Sequence, residues 1–376
     1  MDGHALAGGE DGPASGAAGR PSGVIHAVPT APGAPSRWWL SWRTLWLATV
    51  AVGAVAFAAA NRSQVPLVAR VLRQANPRFV GLALAICALG LLNQAALHHA
   101  TQRAVGLRPR FMKSLQAATA ALFLNLVVKS GGMAGATAFV RADPGGHRRG
   151  RVVVAYLLAT LLGQLTFAVV LAASLVLIWE DGRLTSVDMA ASLVFAGIMA
   201  GVLAALVAGL HSREALRRVH SLPRRIALRA RTILGPPNAA SPRGGADHSG
   251  ADDLYDAVQV LARRPARATS AVAHAFGVEA LGTASLWSVL RALGAQPGWT
   301  LALVAYAVSV LFAIVGFLPG GLGFVEAGLG AVLVSYGITG PVAVAAVVLY
   351  RLFELWIPVA VGAWTAQSLV RSPSPV

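Results

Sequence analysis

Residues 300–336 read TLALVAYAVSVLFAIVGFLPGGLGFVEAGLGAVLVSY, an apolar stretch with a glycine-rich break at its centre. The break is Pro319-Gly320-Gly321-Leu322-Gly323, and Glu326 follows it within one helical turn. Glycines permit backbone angles that end one helix and begin another. Unbonded peptide groups are costly in lipid, so such a break belongs inside protein or beside a water-filled cavity. We interpret the stretch as two short spans or as a re-entrant hairpin that enters from outside.

A second apolar stretch, residues 115–140, is broken in a similar way. Asn125 interrupts it first, and Lys129-Ser130-Gly131-Gly132 follows. Basic loops flank it at 101–114 and 141–151, and short arginine-rich loops stay on the cytoplasmic side. A single crossing would place those loops on opposite sides. We therefore predict a re-entrant hairpin from the cytoplasm, turning at residues 130–132, and two breaks of opposite sense are typical of transporters with broken helices.

The whole chain has the composition of a membrane protein. Hydrophobic residues make up 56% and charged residues 12%, against about 25% charged in an average soluble domain. Further apolar runs occur at about 44–60, 79–100, 152–178, 189–210, 269–293 and 341–369. The sequence predicts an all-α, polytopic helical bundle in the membrane, with about 7–8 membrane segments that include one or two re-entrant or broken helices.

The charged segments predict the domain organisation and the orientation. Residues 1–37 read as a disordered cytoplasmic tail, 38–370 as the membrane domain with a basic cytoplasmic loop at 211–268, and 371–376 as a short cytoplasmic tail. Residues 61–78 form either an amphipathic surface helix or a polar connector. The net charge of +16 is explained by arginine-rich loops on the cytoplasmic face of the cytoplasmic (inner) membrane, so no nucleic-acid partner is expected.

Ionisable residues at membrane depth are the candidates for function, because each is costly there. They are Lys129 and Glu326 beside the two breaks, Arg351 and Glu354 in the last long segment, and Glu279. Arg351 and Glu354 are three residues apart, so an α-helix puts them on one face. They either neutralise each other or contact a substrate.

The break itself offers a site for an anion. A helix that begins near Gly323 would point its N-terminal amides into a cavity, where they favour an anion such as a lipid phosphate. The chain has neither a Walker A sequence nor a His-Glu-x-x-His or clustered Cys/His site. We expect no metal and no cofactor.

A ten-residue motif resembles the transmembrane domain of lysylphosphatidylglycerol synthases and their stand-alone, flippase-like relatives. It reads Pro319-Gly320-Gly321-Leu322-Gly323-Phe324-Val325-Glu326-Ala327-Gly328. Tyr350-Arg351-Leu352-Phe353-Glu354 fits that family's last helix, and Ser130-Gly131-Gly132 followed by Arg141 resembles its first broken helix. The resemblance implies an integral membrane protein that binds an anionic lipid, aminoacylated or polyprenyl-phosphate-linked, and moves it between leaflets. We expect no aminoacyl-transferase activity. The residues expected to contact the lipid are Lys129, Gly131, Gly132, Arg141, Gly320, Gly321, Gly323, Glu326, Arg351 and Glu354.

Two other functions compete with lipid translocation. One is a membrane glycosyltransferase, or another transferase that acts on a polyprenyl-phosphate lipid. The other is a non-transporting partner that organises an envelope complex through its loop at 211–268.

Overall fold

The computed structural model describes residues 65–127, 133–143, 149–183, 185–211, 265–316 and 318–371. The predicted tail at 1–37, the first apolar run at 44–60 and most of the basic loop at 211–268 lie outside these residues. Within the described segments every regular element is helical, and none is a strand. The helices are α1 (Val65–Arg73), α2 (Pro77–Ala104), α3 (Phe111–Val127), α4 (Met133–Ala142), α5 (Arg149–Glu180), α6 (Ser186–His211), α7 (Thr269–Ala292), α8 (Trp299–Val315), α9 (Phe324–Ser335), α10 (Gly340–Arg351) and α11 (Ile357–Arg371).

Among the described residues, three continuous helical stretches are long and apolar enough to cross a membrane: Pro77–Ala104, Arg149–Glu180 and Gly340–Leu369. The third combines α10 and α11 through a π-helical turn, Leu352–Trp356. Shorter apolar helices occur at Ser186–Gly201, Trp299–Val315 and Pro319–Ser335. This pattern confirms the predicted all-α helical membrane fold.

The sequence left the conformation of residues 61–78 undecided between a surface helix and a polar connector. In the structure, part of this segment is helical. Helix α1 packs against α10 and turns Val68, Val71 and Leu72 toward the core. Asn76 then begins α2, because its side chain accepts a hydrogen bond from the Arg78 amide (3.0 Å). Pro77 occupies the first helical position, where a backbone N–H would have no partner inside the helix. The N–H that proline lacks therefore costs no hydrogen bond.

The two halves of the chain repeat one arrangement of helices. Each half has a long helix, a pair of shorter helices and then another long helix. In the first half these parts begin at residues 77, 111 and 149, and in the second half at 269, 299 and 340. Corresponding parts are thus separated by 192, 188 and 191 residues along the chain, which indicates an internal repeat.

The repeats are inverted relative to each other. The long helices α2 and α7 run antiparallel: the Asn76 amide at the start of α2 donates to the Ala292 carbonyl at the end of α7 (2.7 Å). Near their middles, Asn93 Nδ2 donates to the His274 carbonyl (2.8 Å). Inverted repeats of this kind are a feature of many transporter folds.

The shorter helices form two hairpins, as the sequence predicted. At a rise of 1.5 Å per residue, α4 is about 15 Å long and α9 about 18 Å, too short for a hydrocarbon core of about 30 Å. Helix α4 folds back onto α3, and α9 folds back onto α8. In the stretch at 300–336, α9 thus folds back onto α8 at the glycine-rich break, and the choice between two spans and a re-entrant hairpin stays a prediction. The predicted turn of the first hairpin, at residues 130–132, lies outside the described residues.

Small residues bring the first hairpin close to α11. A Cβ added to Gly362 would overlap the carbonyl oxygen of Thr119 and lie 2.9 Å from the Cβ of Phe123. One turn further on, Thr119 Oγ1 donates to Thr365 Oγ1 (3.0 Å). In lipid, the hydrophobic effect does not favour contact with another helix over contact with an acyl chain. Helices there are held together by close backbone approach and by hydrogen bonds between hydroxyl groups.

We predict that Gly362→Ala destabilises the protein, because its methyl group forces α3 and α11 apart. Overpacking of this kind costs about 1–3 kcal/mol, seen as a lower Tm in detergent. The matched control is Gly163→Ala on α5, where a Cβ meets no atom within 4 Å. The close-packing interpretation is wrong if both variants unfold at the same temperature.

Candidate functional site

The second break depends on three glycines in the left-handed region of backbone space. Gly320, Gly321 and Gly323 have φ of 64°, 65° and 83°. Any other L-residue would be strained there. These are three of the residues that the sequence singled out, and their first role in the structure is to turn the chain between α8 and α9.

Glu326 and Arg351 close this break. Glu326 Oε2 accepts from the Gly323 amide (2.6 Å), and Glu326 Oε1 accepts from Arg351 Nε (2.7 Å). Arg351 Nη2 also donates to the Gly320 carbonyl (2.7 Å). The Arg351 side chain is only 8% exposed and the Glu326 side chain 17%. This largely buried ion pair thus provides hydrogen-bond partners for the Gly323 amide at the start of α9 and for the Gly320 carbonyl in the turn before it.

This arrangement differs from two expectations. The sequence left Arg351 and Glu354 either paired with each other or in contact with a substrate, whereas the guanidinium is bound to Glu326, and a π turn begins at the next residue, Leu352. The Gly323 amide was expected to receive a ligand anion. Instead, the Glu326 carboxylate occupies it as an internal anion.

The first break is held by neutral groups. Asn125 Oδ1 accepts from the Gly135 amide (2.7 Å), and Asn125 Nδ2 donates to the Tyr156 hydroxyl (2.8 Å). A Cβ at Gly135 would overlap that hydroxyl. The predicted residues Lys129, Gly131 and Gly132 lie outside the described part of the chain. Arg141 is exposed near the end of α4 and does not line the cavity described next.

A cavity of about 350 Å³ lies where the two hairpin tips meet. Asn125 and Leu126 line it from the first hairpin, and Pro319 and Gly320 from the second. Glu354 lines it from the π turn. The structure thus brings both breaks to one cavity, together with Gly320 and Glu354 of the predicted site residues.

Glu354 is the charged group among the described residues that line this cavity. Its side chain is exposed, and among the described residues it has neither a hydrogen bond nor an ion pair. Arg351 is near enough to act on it electrostatically, but the guanidinium is already bound to Glu326 and Gly320. π turns occur often at functional sites, and this one places a carboxylate in the cavity between the two hairpins.

A second acidic group lies behind the cavity. Glu279 is 5% exposed, and Tyr306, itself 4% exposed and lining the cavity, donates its hydroxyl to Glu279 Oε2 (2.9 Å). The Tyr306 ring fits because position 282 is glycine, where a Cβ would overlap it. The sequence showed Glu279 as an intramembrane acid, but no pattern linked it to Tyr306.

A larger cavity, about 660 Å³, lies beside α9 and the loop between α5 and α6. Its lining is mostly apolar, with Phe312 and Phe324 on its walls. Its polar groups are occupied: Tyr336 donates to an Asp181 carboxylate oxygen (2.8 Å) and lies beneath the Arg183 guanidinium. Burial and that hydrogen bond raise the pKa of Tyr336 to about 12. We therefore regard the smaller cavity, with its free carboxylate, as the candidate site.

Metal binding has no evident location here. Across the described segments, no three His, Cys, Asp or Glu side chains come together in a way that could hold a metal ion.

We predict that Arg351→Met destabilises the protein by about 3 kcal/mol or more, since it leaves Glu326 buried without its cation. Glu326→Gln should cost less, because the amide oxygen still accepts from Gly323. The double variant should be more stable than the sum of both losses implies. Thermal unfolding in detergent gives the stabilities of all three variants. If the two losses of stability simply add in the double variant, Arg351 and Glu326 do not stabilise the protein through their ion pair.

Comparison with known proteins identifies the family of this chain. A short stretch is similar to the UPF0104 membrane protein PH1989 of Pyrococcus horikoshii, 26% identical over 102 residues. That stretch covers 27% of this chain and only 30% of the relative. A model of the family described as the lysylphosphatidylglycerol synthase TM region matches residues 45–362, which include both hairpins and the cavity. The chain therefore belongs to the family of the lysylphosphatidylglycerol synthase transmembrane region.

Proposed function

We propose that this protein moves a phospholipid with an amino-bearing head group between the two leaflets of the membrane. The head group would occupy the cavity between the hairpin tips while the acyl chains stay in the bilayer. The observation that supports this most is the position of Glu354, an unpaired carboxylate in a cavity bounded by two broken helices. Membership of a family described by lysylphosphatidylglycerol synthase agrees with it.

The hairpin tips explain how a polar group would be accommodated at this depth. Breaks in helices leave backbone carbonyls and amides that can face a cavity. Here Pro319 and Gly320 face it from one side and Asn125 from the other. The head group would exchange part of its water for the Glu354 carboxylate, which lines the cavity beside these breaks.

The charge of the cavity determines which head group fits best. A lipid phosphate needs a cation, and Arg351 is already bound to Glu326. The free charge in the described cavity is the Glu354 carboxylate, which attracts an ammonium group and repels a phosphate. An aminoacylated lipid carries both, so its amine would bind Glu354. Lys129, predicted to contact the lipid, is the candidate for its phosphate and lies outside the described residues.

Orientation and location are part of this proposal. By the positive-inside rule, the basic loops would put both termini on the cytoplasmic side of the cytoplasmic membrane. The first hairpin would then open toward the cytoplasm and the second toward the outside.

We predict that the protein, reconstituted in liposomes, speeds the exchange of acyl-chain-labelled lysylphosphatidylglycerol between leaflets, measured by dithionite quenching of the outer leaflet. Glu354→Gln should slow this exchange about tenfold or more, the value of one hydrogen bond to a charged group.

The control variant is Glu180→Gln, an exposed acid at the end of α5 that should leave the rate unchanged. Labelled phosphatidylglycerol, which has no amine, tests head-group selectivity. Equal rates for both lipids, or a wild-type rate for Glu354→Gln, would contradict the proposed site. Sugar transfer to a polyprenyl-phosphate lipid by the purified protein would instead favour a transferase.

A further inference from the structure

The proposed lipid site makes no use of the larger cavity, about 660 Å³, which we call the α9 groove. It shares no lining residue with the cavity that contains Glu354. Ala327 and Ala331, one helical turn apart on α9, line the groove and are exposed, so it opens to the surroundings of the protein. Gly328 keeps the helix close to α8, because a Cβ there would overlap the Phe312 ring.

The two ends of the α9 groove differ in polarity. Leu322 and Phe324 line it beside the break, where α9 begins. Among the described residues, its charged groups are Arg183 and Asp188, and Arg183 lies over the Tyr336 ring at the other end of α9. Helix α9 is about 18 Å long, close to half of a hydrocarbon core of about 30 Å. The groove therefore matches a single lipid in both length and polarity.

Arg183 offers a cation for a lipid phosphate. Gly182, with φ of 66°, turns the chain at the end of α5, and the Arg183 amide donates to the Ile178 carbonyl (3.0 Å). The guanidinium carbon then lies 4.4 Å from the centroid of the Tyr336 ring. Stacking uses only the face of a guanidinium, and its N–H donors lie in the plane of the group. Among the described residues no carboxylate pairs with them, so they are available to a phosphate.

The acids near Arg183 determine which head group fits. Asp188 accepts from the Thr185 hydroxyl (2.6 Å) and is only 8% exposed, so its carboxylate is used at the start of α6. Asp181 is exposed, and its Oδ2 accepts from the hydroxyl of Tyr336, the residue beneath the guanidinium (2.8 Å). A phosphate on Arg183 is therefore near a negative charge, which repels a purely anionic head group and attracts an ammonium.

We propose that the α9 groove binds one membrane phospholipid with a zwitterionic head group. Its phosphate binds Arg183, its ammonium faces Asp181, and one acyl chain lies along Ala327 and Ala331 toward the break. A mostly apolar groove of this volume with a few polar groups is typical of ligand sites. The inference is independent of the proposed function, because a lipid held here need not cross the membrane.

Photo-crosslinking in a phosphate-free maltoside detergent tests this site without any transport. The probe is phosphatidylethanolamine with a diazirine in one acyl chain, added to the full chain, and mass spectrometry of the digested protein locates the crosslinks. They should fall on residues 312–336. Arg183→Gln should reduce this labelling about tenfold or more, the value of one hydrogen bond to a charged group. Because Arg183 is exposed, the variant should fold, as gel filtration and thermal unfolding will check.

Two further variants separate the charge from the groove. Arg73→Gln is the matched control, because Arg73 is an exposed arginine at the end of α1 that lines neither described cavity, and it should label like the wild type. Ala331→Trp keeps Arg183 but fills the groove, so it should lose the labelling. Unchanged labelling in folded Arg183→Gln, or labelling spread evenly over the apolar helices, would overturn the site.

Competition by unlabelled lipids tests the head group. Phosphatidylethanolamine should abolish the labelling, phosphatidylglycerol, which has no ammonium, should compete more weakly, and diacylglycerol, which has no phosphate, should not compete. Equal competition by diacylglycerol would overturn the phosphate site, and equal competition by phosphatidylglycerol would overturn the zwitterionic head group. A dimer that Ala331→Trp dissociates would show that a second copy covers the groove, and would overturn the lipid as its occupant.

Discussion

The buried ion pair between Arg351 and Glu326 is the interaction on which the site depends. A chain that turns back inside a membrane leaves peptide groups without helical partners, and lipid offers them none. Here one guanidinium binds the Gly320 carbonyl and the Glu326 carboxylate, while that carboxylate binds the Gly323 amide. The second hairpin is thereby fixed without using Glu354, which stays free to face the cavity.

The two halves of the protein solve the same problem with different chemistry. Antiparallel repeats bring their broken hairpins to one point, where Leu126 meets Gly320. The first hairpin is held by the neutral pair Asn125 and Tyr156, and the second by charges. Among the described residues, the two hairpins therefore share a backbone arrangement but differ in the charge of the groups that hold them, and the described cavity has its carboxylate on one side only. An asymmetric site within a symmetric frame can distinguish the ends of a head group that carries both charges.

Much of the fold could be predicted because membrane constraints act locally along the chain. The apolar runs gave the helices, and the arginine-rich loops around 115–140 required a hairpin. The site was harder, since side-chain pairing depends on helix rotation. α-Helical spacing left Arg351 and Glu354 either paired or in contact with a substrate, and only the structure shows that Arg351 binds Glu326. The sequence did not distinguish Tyr306 from other tyrosines in apolar helices. In the structure, Gly282 leaves room for its ring, and its hydroxyl donates to Glu279. Nothing in the sequence marked the larger apolar cavity beside α9.

The central claim is that the cavity between the hairpins selects a lipid through Glu354. Native mass spectrometry of the gently extracted full chain tests it most directly, with lysylphosphatidylglycerol and phosphatidylglycerol offered together in equal amounts. Our account predicts that the wild type and Glu180→Gln retain the aminoacylated lipid preferentially, and that Glu354→Gln loses this preference while staying folded. Equal retention of both lipids by the wild type, or an unchanged preference in Glu354→Gln, would contradict it.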